Sequence, residues 1–156
     1  MNPDQRGVHH PAMRLLLKPP SGRDEVDSAA IALGWSLANV FPQREGRPRQ
    51  VIYATAEGLI TLVEDHRIDA RYLVFSGHDP EGLAAQAREV VETLDEDAVL
   101  EILGREPARG LCWLGIVGAS REASEKALRD ALGGEAPELR AAARFAAEAL
   151  GWEVEA

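Results

Sequence analysis

Apolar positions in the first part of the chain form one short run and one helix-like stripe. The run at 13–18 (MRLLLK) is apolar on both faces, which predicts a strand buried on both sides. Five apolar residues then recur at steps of four and three: Val26, Ala30, Leu33, Leu37 and Val40. This spacing predicts a helix over 23–40. The alternative is a helix that ends at Gly34 as a left-handed residue, with Trp35 folding back onto its last turn.

Short strand-forming runs follow at 51–55, 59–63 and 71–76. The three residues before the second run end in Gly58, which fits a tight hairpin turn. Consecutive short strands with tight connections predict an antiparallel β-meander. Together with the first strand, we expect four strands covered by one or two helices, an α+β arrangement.

The remaining chain has helical spacing and regular helix boundaries. Asp79 followed by Pro80 predicts a capped helix start, and its apolar face continues to Leu94. Further helices are predicted at 96–103, 107–117, 122–132 and 137–150. Val99 and Leu103 recur 29 residues later as Leu128 and Leu132. A period of this size predicts two helix-turn-helix units that bury their faces against each other.

The second of these units resembles a bacterial HEAT-type repeat over 136–151 (APELRAAARFAAEALG). In that family, a proline after the turn, an arginine three residues later and an alanine-rich second helix let neighbouring hairpins stack closely. The matching positions are Pro137, Arg140, Ala141, Ala142, Ala146 and Leu150. The resemblance covers 97–152, more loosely in the first unit, and it implies the binding of protein partners rather than catalysis. We therefore expect a disordered tail at 1–12, an α+β lobe at 13–78 and a helical HEAT-like lobe at 79–156, the two lobes sharing one core.

The net charge of −9 is concentrated in the second half of the chain. Residues 1–78 hold 9 acidic and 9 basic side chains, whereas residues 79–156 hold 17 acidic and 8 basic ones. A nucleic-acid-binding protein needs a basic face to replace the counterions of phosphate, so a nucleic-acid partner is disfavoured. No apolar run reaches the roughly 20 residues of a membrane span. The single Cys112 excludes an intrachain disulfide and is interpreted as a small buried hydrophobe. These features predict a cytoplasmic protein with a protein partner.

Two local groups of residues could carry metal or acid–base chemistry: Glu64, Asp65 and His66 in one, and His78 and Asp79 in the other. They flank the third strand of the meander, and a strand of six residues spans roughly 20 Å. Solvated turns are therefore the favoured interpretation, and convergence on a metal the alternative. The chain lacks the nucleotide-binding motifs GxxxxGK(S/T) and GxGxxG, the metal-binding motifs HExxH and CxxC, and the hydrolase motif GxSxG. We therefore expect no cofactor and assign no catalytic residue.

Candidates for partner binding are a local basic loop and two tryptophans. Arg44, Arg47 and Arg49 lie close together in the sequence. A solvated loop is the favoured interpretation, and contact with an anion or an acidic partner is the alternative. Trp113 and Trp152 belong to a residue type enriched in binding hot spots, although packing accounts for both. The main hypothesis is a non-enzymatic protein–protein interaction or adaptor module. The alternative is a small metal-dependent or small-molecule-processing enzyme that uses the two histidine-containing groups. Self-association, through an edge of the meander or the last hairpin, is a third hypothesis.

Overall fold

A computed structural model describes residues 13–153, which form two compact units, residues 13–95 and residues 96–153. The first unit combines strands and helices, and the second is helical. The α+β class predicted from the sequence is confirmed. The tail predicted at 1–12 lies outside the described residues.

The first unit contains a sheet and two helices. Its elements are β1 (Met13–Leu17), α1 (Arg23–Leu33), β2 (Ser36–Phe41), β3 (Arg49–Ala54), β4 (Gly58–Asp65), β5 (Ala70–Gly77), α2 (Pro80–Arg88) and β6 (Thr93–Leu94). The second unit consists of four helices, α3 (Glu96–Arg105), α4 (Pro107–Val117), α5 (Glu122–Leu132) and α6 (Pro137–Leu150).

The sheet is antiparallel throughout, with strand order β2-β3-β4-β5-β1-β6. The predicted meander is present as β2 to β5, and the sheet has six strands where four were expected. At one edge lies β6, which has only two residues. At the other lies β2, with six residues. The two edges therefore differ greatly in the length of unpaired backbone that they offer.

Helices α1 and α2 cover one face of this sheet. Val26 and Ala30 of α1 and Leu83 of α2 join the core formed with strand residues such as Val51 and Leu73, which are buried. In β1 the consecutive Leu15, Leu16 and Leu17 are all buried. The prediction of a strand buried on both sides is thereby confirmed.

Helix α1 ends at Leu33, and the prediction of a helix over 23–40 was wrong. Gly34 adopts a left-handed conformation with φ 78°, and the N–H of Trp35 donates to the carbonyl of Ala30 at 2.8 Å. This is the helix end that the alternative interpretation described. The chain then turns into β2, so Leu37 and Val40 lie on a strand and not on the helix stripe.

Helix α2 begins as predicted, because the Asp79 carboxylate accepts the N–H of Gly82 at 3.0 Å and proline occupies the first turn. It is shorter than expected and ends at Arg88, while Leu94 pairs with Leu16 in the sheet. Helix α2 packs on β1 and β5 and belongs to the first unit. The two units therefore divide between residues 95 and 96, beyond the predicted division at 78 and 79.

In the second unit, α4, α5 and α6 have the predicted bounds. Helices α3 and α4 pack as one hairpin, α5 and α6 as another, and α4 packs against α6. The last contact is close, because a Cβ placed on Gly115 would lie 2.7 Å from the Cα of Ala146. Arg140 donates to the carbonyls of Gly134 and Glu135 at 3.0 and 3.2 Å, which supports the turn before α6.

The carboxylate of Glu96 joins the two hairpins. It accepts the N–H and hydroxyl of Ser120 at 3.1 and 2.6 Å, the N–H of Arg121 at 2.7 Å and the hydroxyl of Ser124 at 2.5 Å. Burial acts to raise the pKa of Glu96, but these hydrogen bonds outweigh it and the pKa is lowered. The start of α3 is thus tied to the start of α5.

Candidate functional site

The two groups considered for metal or acid–base chemistry lie at opposite ends of the sheet. His66 follows β4 in the turn beside the Asp65–Ala70 pair, whereas His78 follows β5 beyond the Gly58–Gly77 pair. The eight residues of β5 separate these ends by roughly 25 Å at the rise of a strand. Among residues 13–153, no group of three or more His, Cys, Asp or Glu side chains is placed to hold a metal.

Each acidic member of these groups has a local contact. Glu64 lies opposite both Arg49 and Arg71 across neighbouring strands, with nitrogen–oxygen distances of 3.5 and 3.9 Å. Asp79 caps α2. The structure therefore does not assemble Glu64, His66, His78 and Asp79 into one site, and the convergence required by the alternative enzyme hypothesis is absent.

The two tryptophan candidates differ in exposure. Trp113 is 2% exposed, so its ring is part of an interior and offers no surface to a partner. Trp152 is partly exposed, and the guanidinium of Arg129 lies 4.9 Å from the centre of its ring. This cation–π contact covers one face of the Trp152 ring.

The most open surface of the first unit is the strand β2, named here the open edge (Ser36–Phe41). Every residue from 36 to 47 is exposed. Leu37, Val40 and Phe41 are 54%, 37% and 46% exposed, and the strand contains no charged residue and no proline. Proteins usually protect a sheet edge with charges, prolines or short strands. The short β6 has such protection, and the open edge lacks it.

A β-bulge gives the open edge one apolar face. Leu37 lies opposite Tyr53 and Val40 lies opposite Val51, with a register shift between them. Tyr53 and Val51 are two residues apart on β3 and share the face that α1 covers. Leu37 and Val40 therefore share that face as well, although residues three apart in a regular strand point to opposite sides.

Helix α1 is fixed over β3 and does not extend across the open edge. The hydroxyl of Tyr53 donates to Asp27 of α1 at 2.5 Å, and Arg23 donates to the same carboxylate at 3.0 Å. The Tyr53 hydrogen bond lowers the pKa of Asp27, burial opposes it, and Arg23 lowers it further. The helix is thereby held one strand away from Leu37 and Val40.

Residues 44–47, named here the arginine turn, connect the open edge to β3. Arg44 and Arg47 form an antiparallel bridge with reciprocal backbone hydrogen bonds of 3.1 and 2.9 Å, and Gly46 has φ 73°. Residues directly opposite in an antiparallel pair present their side chains to the same side. Both arginines line a cavity of about 610 Å³ with Phe41, Pro42, Pro48 and Gln50.

The three arginines of this loop are not equivalent. Arg49 is engaged by Glu64 across the sheet, whereas Arg44 and Arg47 form no ion pair with any acidic residue of the described part of the chain. Two guanidinium groups on one side of a turn, with no ion pair among residues 13–153, form a site suited to a carboxylate.

Comparison of the chain with protein-family models, with curated proteins and with solved structures finds no match. Among residues 13–153, no helix has both the length and the apolar character needed to cross a membrane. The function of the chain is therefore inferred from the geometry of the site. The sequence indicated Arg44 and Arg47 but missed Leu37, Val40 and Phe41. The available signal was the dipeptide Glu45-Gly46 between two arginines, a turn that implies a strand on each side.

Proposed function

We propose that this protein is a non-enzymatic protein-interaction module of the cytoplasm, whose binding surface is the open edge together with the arginine turn. The observation that carries the proposal is the continuous exposure of residues 36–47, which include three large apolar side chains on an edge strand. An exposed apolar strand edge is a template for pairing with another chain.

Two further features support a protein partner over a nucleic acid or a small molecule. The net charge of −9 opposes binding of a polyanion. The second feature is the helical unit, whose two packed hairpins resemble HEAT-type repeats in sequence. That resemblance implies the binding of a protein partner. The cytoplasmic location is supported by the single cysteine, Cys112.

Site-specific photo-crosslinking in the native cell tests this function. A photoreactive phenylalanine analogue is placed at Val40 and, as a matched control, at Leu59. Leu59 is 45% exposed in the same sheet but is flanked by Ala54 on one side and Ser76 on the other. We expect discrete protein adducts from position 40 and none above background from position 59. Equal labelling from both positions, or none from position 40, would refute the proposal.

A further inference from the structure

The partner of the open edge can be characterised by the chemistry that surrounds it. We propose, building on the interaction function above, that the ligand is an extended acidic segment of another protein. It pairs with β2 as a seventh strand and places a carboxylate between Arg44 and Arg47.

The backbone of the open edge favours an extended ligand. An edge strand presents unpaired N–H and C=O groups on its free side, and a bound strand satisfies them. The six residues of β2 offer the length of an ordinary strand. The shared apolar face of Leu37 and Val40 offers two contacts for alternate side chains of the ligand.

The positive charge of the arginine turn determines which residue type the ligand carries next to its apolar residues. Arg44 follows Phe41 by three residues, so it lies immediately past the end of the open edge. Because Arg44 and Arg47 form no ion pair within the described residues, a ligand carboxylate does not have to displace an internal one. The ligand therefore combines two or three β-forming apolar residues with an acidic end.

Asn39 competes with this ligand. Its side-chain Oδ1 accepts the N–H of Val40 at 2.8 Å, so one backbone donor of the strand is satisfied locally. A strand that pairs with this donor displaces the amide of Asn39. Removal of that amide is therefore expected to strengthen binding, which distinguishes strand pairing from general adhesion to an apolar patch.

Titration of the full ¹⁵N-labelled chain with synthetic peptides tests the proposal by NMR. The probes are acetyl-Glu-Glu-Gly-Thr-Val-Thr-Val-Thr-amide and its reversed sequence, which place the acidic end at the arginine turn in antiparallel and parallel pairing, respectively. The control replaces both glutamates with lysines. We expect at least one acidic peptide to shift the amide signals of residues 36–47 with a Kd of about 0.1–1 mM, and the lysine peptide to shift none of them.

Variants of the exposed surface sharpen the test without altering the core. Combined Arg44→Ala and Arg47→Ala, or combined Leu37→Ser and Val40→Ser, should each raise Kd about fivefold or more. Leu59→Ser should leave Kd unchanged. Asn39→Ala should lower Kd about two- to fivefold, since a competing hydrogen bond is lost.

Three results would overturn the proposal: no shift in residues 36–47 at millimolar peptide, equal binding of the lysine peptide, or a β2-dependent dimer in sedimentation without peptide. In the last case a second copy of the chain occupies the edge. Adducts at Val40 in cells without peptide binding would contradict strand pairing by an acidic segment while leaving the interaction function intact. Peptide binding without adducts would contradict the function.

Discussion

The contact between α4 and α6 depends on the absence of a side chain at Gly115. A methyl group there would lie 2.7 Å from the Cα and 3.1 Å from the Cβ of Ala146, about 1 Å closer than carbon atoms prefer. The nearest atom is main chain and cannot rotate away, so the helices must separate. Overpacking of this kind costs about 2–3 kcal/mol, and alanine recovers about 1 kcal/mol of helix propensity. Gly115→Ala should therefore destabilise the protein by about 1–2 kcal/mol.

Urea unfolding followed by circular dichroism at 222 nm measures this difference, with an unchanged m-value as the condition for comparing midpoints. Gly104→Ala is the matched control, because a Cβ at Gly104 of α3 would meet nothing within 4 Å. That variant should gain about 0.5–1 kcal/mol from helix propensity alone. The two identical substitutions should thus have opposite signs. If Gly115→Ala is as stable as Gly104→Ala, the close approach of α4 and α6 is wrong.

Four further outcomes are expected. The pKa of Glu96 in the folded state lies below the usual 4.5. The stability that its ionised carboxylate contributes is therefore complete above pH 4.5 and is lost as the pH falls through the folded pKa. In that pH range the urea midpoint of Glu96→Gln should fall less steeply than that of the unsubstituted protein. Tyr53→Phe should raise the pKa of Asp27, measured by carboxyl NMR titration, because its hydrogen bond lowers that pKa most. Gly34→Ala should cost about 1 kcal/mol in thermal unfolding, since φ is 78° and no atom clashes. Leu128→Ala should cost roughly 2–5 kcal/mol in the same assay, because the side chain is fully buried; retention of stability would contradict its placement.

The helices of the second unit could be predicted from the sequence because their ends have local chemical causes. Pro107 and Pro137 begin helices in which the missing N–H is unneeded, and glycines follow α4, α5 and α6. The meander was likewise predictable from β-forming runs and the turn at Gly58. These signals lie within a few residues of the structure they specify.

The error at β2 has a specific physical reason. The bulge places Leu37 and Val40 on one face at a spacing of three, which is also the spacing of a helix face. The apolar spacing of three and four residues that begins in α1 therefore continues in the sequence into a strand. Only the conformation of Gly34 separates the two elements, and a glycine is compatible with either outcome.

The candidate site was only partly predictable, because only its arginines have a local signal in the sequence. Arg44 and Arg47 were visible as a basic cluster, and their side-by-side arrangement follows from the turn between them. That Arg49 is neutralised by Glu64 could not be predicted, because the pair depends on the register of β3 and β4. The exposure of the open edge depends on α1 being held over β3 through Tyr53.

The tetrapeptide Ala-Leu-Gly-Trp ends both α1 and α6. In each case the backbone N–H of the tryptophan donates to the backbone carbonyl five residues earlier at 2.8 Å. This gives each unit an intrinsic optical reporter at a helix end. Trp35 is 6% exposed and 6.0 Å from the ring of Tyr53, so it should emit at short wavelength and resist acrylamide. Trp152 is partly exposed and should be quenched readily. Replacing Trp113 and one of the two reporters with phenylalanine would leave a single tryptophan. The thermal unfolding of each unit could then be followed separately by tryptophan fluorescence.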